Sequence, residues 1–138
     1  MSLSVSISTA EIVSACLFSA EGILSEVVGD QGEKLETQFF HIEALINRAT
    51  TEGKAIDLVV VDCGPGSFTA LRAGIAFGKG LAAGLGARII TVSAEELTAS
   101  MAQDREAPSR AKLVALGYLS GTIKETPEDR HLVHSFQI

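Results

Sequence analysis

The hydrophobic and polar positions change period several times along the chain, and each change marks an element. Leu3, Val5 and Ile7 alternate with serines over residues 2–8, the period of two expected of a strand. Residues 14–19 and 23–28 repeat the pattern, with Ala20–Glu21–Gly22 as a tight turn between them. Three strands joined by short turns predict an antiparallel meander. From about Glu33 to Thr51 the period becomes helical. Leu35, Phe39, Ile42, Leu45, Ile46 and Ala49 share one face, while Glu36, Glu43, Asn47 and Arg48 fall elsewhere. Phe40 lies off the stripe and marks a candidate second apolar contact.

Residues 56–85 are the stretch around which the rest is organised. Leu58 to Val61 is an unbroken aliphatic run, the pattern of a strand covered on both faces. Asp62 to Gly66 turns the chain. Gly64 and Gly66 permit positive φ, Pro65 fixes φ between them, and Ser67 or Thr69 can cap the helix that follows. That helix contains Gly74, Gly78, Gly80 and Gly84, each costing about 1 kcal/mol against alanine. Close approach of another backbone is the expected compensation, and Gly74 and Gly78 stand one turn apart on one face. Arg72 and Lys79 are the only charges on this helix and share one narrow stripe. So little polar surface predicts cover on two sides, by the helix's own sheet and by a neighbouring helix.

Ala87 to Val92 reads as a further buried strand, and a helix between two such strands makes a right-handed crossover the default. Ser93, with Glu96, forms a capping-box pattern for a short helix ending near Met101 or Gln103. Residues 103–112 are polar, contain Pro108 and are the best linker candidate.

Composition narrows the functional classes. The 138 residues fit one domain with a proper core. A net charge of −6 and the lack of a basic patch argue against this chain gripping nucleic acid by itself. Cys16 and Cys63 are too few and too far apart for a disulfide framework or a zinc site, and read as buried thiols. A charged-then-apolar leader and an apolar run of membrane length are both missing, which gives the expectation of a soluble, cytoplasmic protein. His41 has no second ligand at helical spacing, and His131 and His134 would face opposite ways on a strand, so no metal site is expected.

The Gly-Pro-Gly turn invites a phosphate reading, since backbone N–H groups at a helix start bind anions. No lysine follows it, so the P-loop template fails. Ser67 lacks both the flanks of a nucleophile elbow and an acid–histidine partner set. A capped strand-to-helix turn is the favoured reading. A vestigial phosphate or nucleotide contact through Gly64, Gly66, Ser67 and Thr69 is the alternative.

The segment GPGSFTALRAGIAFGKGLA resembles the signature of the TsaB (YeaZ-like) family. The usual form there is a GPGSFTG-[LV]-R-x-G turn and helix followed by a KGLA-like or QGLA-like stretch. Ala70 stands where that family usually has glycine. The family is the non-catalytic, glycoprotease-like (peptidase M22-like) partner in bacterial synthesis of threonylcarbamoyladenosine on tRNA. It belongs to the actin-like ATPase, ribonuclease H-like fold group that also holds the TsaD enzyme.

The resemblance covers residues 3–103 well and the next twenty weakly. It implies an α/β fold with a five-stranded mixed sheet, three strands antiparallel and then two parallel, and helices on its faces. Residues 1–103 would form the N-terminal domain, 104–112 a linker, and 113–138 a remnant of the family's second domain. In that remnant Leu113 to Leu119 would be a strand, paired with His131 to Phe136 across a turn at Thr126–Asp129. The family's first turn, usually I-D-T-[AS], here reads Ile7-Ser8-Thr9-Ala10. In catalytic members of the fold group the aspartate serves metal-bound phosphate chemistry, for which Ser8 has neither charge nor a good oxygen pair.

The implied function is therefore a subunit without chemistry or a cofactor of its own, with ATP or ADP entering only at a partner boundary. It would bind a TsaD-like protein or a second copy through Phe39, Ile42, Ile46, Ala70, Gly74, Phe77, Gly78 and Leu81. Two alternatives stand beside it: a homodimeric paralogue acting as a scaffold outside tRNA modification, and a weak nucleotide hydrolase.

Overall fold

The computed structural model describes residues 2–10, 12–30, 32–64, 68–93 and 109–125. Strands β1 (Ser2–Ser8), β2 (Ser14–Ser19) and β3 (Gly22–Val28) are followed by helix α1 (Leu35–Thr51) and strand β4 (Ala55–Asp62). Helix α2 (Phe68–Leu85), strand β5 (Arg88–Ser93), helix α3 (Arg110–Ser120) and the two-residue strand β6 (Lys124–Glu125) complete the order. One sheet runs β3-β2-β1-β4-β5-β6. The first three strands pair antiparallel, and β4 lies parallel to both β1 and β5. The five expected strands are thus present in the expected senses. The added β6 pairs antiparallel with the end of β5.

The sheet is covered on both faces, and each strand distributes its residues accordingly. Leu3, Val5, Ile7, Val59 and Val61 point into one core with Ile42, Ile46 and Ala49 of α1 and Ile75 and Ala82 of α2. Cys16, Phe18, Leu58, Val60 and Val92 form a second core with Ala111, Val114 and Ala115 of α3. The serines that alternate along β1 belong to no wetted face: Ser6 and Ser8 are fully buried. Their hydroxyls find partners there, as buried polar groups must.

Each described helix end has a local cause. Past α1, Gly53 takes φ +81°, and the Lys54 N–H closes on the Ala49 carbonyl at 3.1 Å. Past α2, Gly86 takes φ +68°, and the Ala87 N–H reaches the Ala82 carbonyl at 2.8 Å, the pairing of a Schellman stop. For α3, the Ser109 side chain accepts the Lys112 N–H, and Gly121 ends the helix in the left-handed region.

Two sequence expectations change here. Leu113 to Leu119 is helix, not strand. A short apolar run does not declare its own period. The deciding pattern is Ala111, Val114, Ala115 and Tyr118, spaced for one helical face and packed on the sheet. That helix shares a core with β2 and β4, so residues 110–120 belong to the first unit rather than to a second-domain hairpin. The proposed linker also gives up residues 110–112 to α3. The short helix after Ser93, the turn at Thr126–Asp129 and the strand His131 to Phe136 lie outside the described residues.

Candidate functional site

In a sheet with parallel strands, ligands gather outside the carboxyl ends, where neighbouring connections diverge. Here β1 and β4 are the diverging pair. Ile7 is in register with Val61, so the next residues, Ser8 and Asp62, reach the same corner. Ser8 Oγ donates to Asp62 Oδ2 at 2.9 Å and accepts the Ala10 N–H at 3.3 Å. Asp62 Oδ1 accepts the Gly64 N–H at 3.0 Å, folding the turn back onto its own carboxylate. From across the sheet, Arg110 Nε donates to Asp62 Oδ2 at 2.7 Å and Arg110 Nη2 to the Gly64 carbonyl at 3.0 Å. Asp62 is 0% and Arg110 2% exposed, so this is an ion pair withdrawn from water.

The first turn of α3 is fixed by further contacts. Ser6 Oγ donates to the Ala111 carbonyl at 2.6 Å, and the Ala111 N–H donates to Ser14 Oγ at 3.1 Å. Ser109 Oγ reaches Glu26 Oε2 at 2.7 Å. Asp62 Oδ1 accepts one of these hydrogen bonds and Oδ2 two, and the Arg110 guanidinium compensates the charge, which weakens the carboxylate as a general base. Nor do these residues fit the metal-bound phosphate chemistry of the wider fold group. A serine stands at the first carboxylate position, and a guanidinium stands against the second. Among the described residues no cluster of three or more His, Cys, Asp or Glu could hold a metal ion.

Of the phosphate-loop candidates, Gly64 is buried in this corner with φ +123°. Thr69 is exposed in the first turn of α2, and Gly66 and Ser67 lie outside the described residues. Cys63 abuts the corner, its N–H and Sγ both directed at the Val92 carbonyl. Burial, with the nearby Glu26 carboxylate, pushes the Cys16 thiol up to about 12, which makes it inert at neutral pH.

The interface candidates divide. Ile42 and Ile46 are core residues. A methyl at Gly74 would lie 2.6 Å from Thr9 Oγ1, and one at Gly78 would lie 2.6 Å from Val61 Cγ2. These two glycines let α2 approach its own sheet and the β1–β2 turn, which corrects the expectation that they face a neighbouring helix. Thr9 Oγ1 also donates to the Ala70 carbonyl at 2.7 Å, so Ala70 takes part in the same internal contact. Phe77 stacks on Phe39 at 4.2 Å between near-parallel rings, joining α2 to α1, and Leu81 packs half-buried on the same core.

What faces outward on α2 is a different set: Thr69, Arg72, Ala76, Gly80, Ala83 and Gly84. A methyl at Gly80 or Gly84 would meet nothing within 4 Å. On α1, Phe40 is 65% exposed. Asp62 and Arg110 were not singled out from the sequence. Asp62 carries a signal, as a carboxylate ending an aliphatic strand before a glycine turn. Arg110, 48 residues away, carries none.

The family model described as TsaD, tRNA N6-adenosine threonylcarbamoyltransferase, matches residues 35–117, more than half of the chain. A tRNA N6-adenosine threonylcarbamoyltransferase of Desulfovibrio desulfuricans is 39% identical over 88 residues, spanning 62% of this chain and 24% of that protein. Among solved structures, YeaZ from Pseudomonas aeruginosa matches with a TM-score of 0.54 at 25% identity, covering 74% of this chain and 48% of its own. A structure described by its similarity to the peptidase YeaZ from Pseudomonas aeruginosa gives 0.57 at 22% identity, covering 77% and 50%. The Thermus thermophilus RuvC bound to a Holliday junction substrate gives 0.55 at 11% identity over 91% of this chain and 100% of its own, a likeness of ribonuclease H-like fold alone. The chain spans about half the length of the YeaZ structures and about a quarter of the transferase. With that model covering most of α1 to α3 and YeaZ matching its fold, the chain belongs to the TsaD tRNA N6-adenosine threonylcarbamoyltransferase family and bears out the YeaZ-like resemblance of its Gly-Pro-Gly helix.

Proposed function

We propose that this chain is a non-catalytic interaction module of the threonylcarbamoyladenosine system, docking a TsaD-like protein or a second copy of itself through the outer face of α2. The observation that carries the reading is that face: Ala76, Gly80, Ala83 and Gly84 stand exposed with open space above the two glycines. Two internal glycines face the sheet; Gly80 and Gly84 have no such partner among the described residues. A partner helix settling there would meet almost no side-chain bulk. The compensated carboxylate at Asp62 supports the absence of chemistry. The reading gives the chain no cofactor of its own and places it in the cytoplasm with its tRNA-modifying partner.

Replacing Gly80 by leucine tests it. The variant is expected to keep its circular dichroism and lose association, at least tenfold, with the host's TsaD or with itself in light scattering and titration calorimetry. Unchanged association would overturn the docking face.

The matches to threonylcarbamoyltransferases favour a second reading, a chain of enzyme character with weak nucleotide hydrolysis. Heat and turnover with ATP and Mg²⁺ would support that reading, including a nucleotide held at a partner boundary. Complementation of a strain lacking its own TsaB separates a working subunit from a scaffold detached from tRNA modification.

A further inference from the structure

We propose that Lys79 Nζ and Thr91 Oγ1 hold a small carboxylate, of formate or acetate size, in the seam between α2 and β5. The proposal goes beyond the docking reading and does not depend on it.

These two are the buried side-chain polar atoms without a hydrogen-bond partner among the described residues. Thr91 is 1% exposed. Lys79 is half-buried as a residue, yet its Nζ is covered. A surface lysine ordinarily does the reverse, burying its stem and keeping the ammonium in water. A covered ammonium without a counter-charge is costly, and an orphaned hydroxyl adds to the cost.

Both side chains belong to one seam. A methyl at Gly78 would lie 2.6 Å from Val61 Cγ2 and 3.3 Å from Ile89 Cδ1. Thr91 is in register with Val61, which shares a core with α2. Phe77 stacks on Phe39 and so marks the side of α2 turned to α1. Lys79 stands two residues on, about 200° round the helix, and therefore leans to the β5 side. Gly74 meets Thr9 beyond the end of β1, whereas Gly78 meets Val61 within β4, so α2 starts over the carboxyl ends of the strands. Long helical side chains lie back towards the start of their helix. That direction carries the Lys79 head from the level of Ile89 towards that of Thr91.

The chemistry of the pair selects the ligand. An ammonium only donates, and a hydroxyl can donate beside it. The two are not bonded to each other, so a single acceptor group has to serve both, as the two oxygens of a carboxylate can. One ammonium balances one negative charge, which favours a carboxylate over a phosphate dianion.

The test uses the full chain as wild type, Lys79→Met and Thr91→Val, in thermal unfolding with sodium formate titrated against sodium chloride at matched ionic strength. Formate is expected to raise the wild-type midpoint saturably, and chloride to leave it in place. Lys79→Met, relieved of the covered charge, is expected to unfold above wild type without formate and to ignore formate, so the gap closes as the salt is added. Thr91→Val should need about tenfold more formate for half the effect. Labelled formate should broaden in nuclear magnetic resonance with wild type and stay sharp with Lys79→Met, a readout apart from stability. A wild type indifferent to formate, equal responses to formate and chloride, or a formate response surviving in Lys79→Met would overturn the proposal.

Discussion

At the scale of single residues, one residue type serves two opposed purposes on α2. Gly74 and Gly78 are buried against Thr9 and Val61, whereas Gly80 and Gly84 face open space. The propensity cost is the same at all four; the environment differs. Gly80→Ala should therefore stabilise the monomer by up to about 1 kcal/mol. Gly78→Ala should destabilise it by about 1–3 kcal/mol, because overpacking against Val61 outweighs the propensity gain. Urea unfolding of the pair decides it, and equal shifts of the same sign would contradict the assigned faces. The periodicity of the sequence placed all four glycines on a helix correctly. Which of them met the sheet depended on Thr9 and Val61, far away along the chain.

At the scale of elements, the entry to α1 is organised by a small polar network. Glu33 Oε1 accepts the Asp30 N–H at 2.9 Å, and Glu33 Oε2 lies 3.1 Å from His41 Nε2. Gln38 Nε2 bonds the carbonyls of Asp30 and Glu33, while its Oε1 accepts the Val13 N–H. The Asp30 N–H, and then the His41 ring, hold the Glu33 carboxyl below its ordinary value of 4.5. A folded-state value lowered in this way adds stability above the unfolded value and loses it as pH falls through the folded one. Glu33→Gln should accordingly unfold at lower urea than wild type at neutral pH, with the difference shrinking as pH drops below 4.5. A gap that persisted into stronger acid would show that the carboxylate charge is not what the network uses. His41, a lone histidine by sequence spacing, thus has a structural partner in this network. The correction at α3 belongs to this scale as well. LVALGYL has no polar interruption to reveal a period, but Ser109 before it and Gly121 after it are a cap and a stop.

At the scale of the whole molecule, the division of the chain moved. Cys16, Phe18, Leu58, Val60 and Val92 make one face of the sheet, and α3 covers it. A chain ending at residue 108 should expose that face, lose cooperative unfolding and aggregate. A monomeric product with a sharp transition would restore the view that the first 103 residues stand alone. The continuous run Leu58 to Val61 declared a strand covered on both faces. The alternation over residues 2–8 also declared a strand, but suggested a wetted face that β1, parallel to β4 with Ser6 and Ser8 buried, does not have.

By itself, the sequence determined the five strands β1 to β5, the two long helices, their order and the Gly-Pro-Gly helix that marks the family. Those features depend on periodicity and turn chemistry, which act between residues close along the chain. Only the tertiary structure decided which glycines are buried, that β1's serines are covered, and that Arg110 closes on Asp62 beside Ser8. Each of these is a meeting of distant segments, fixed by which face of the sheet a helix covers, and no local pattern encodes it.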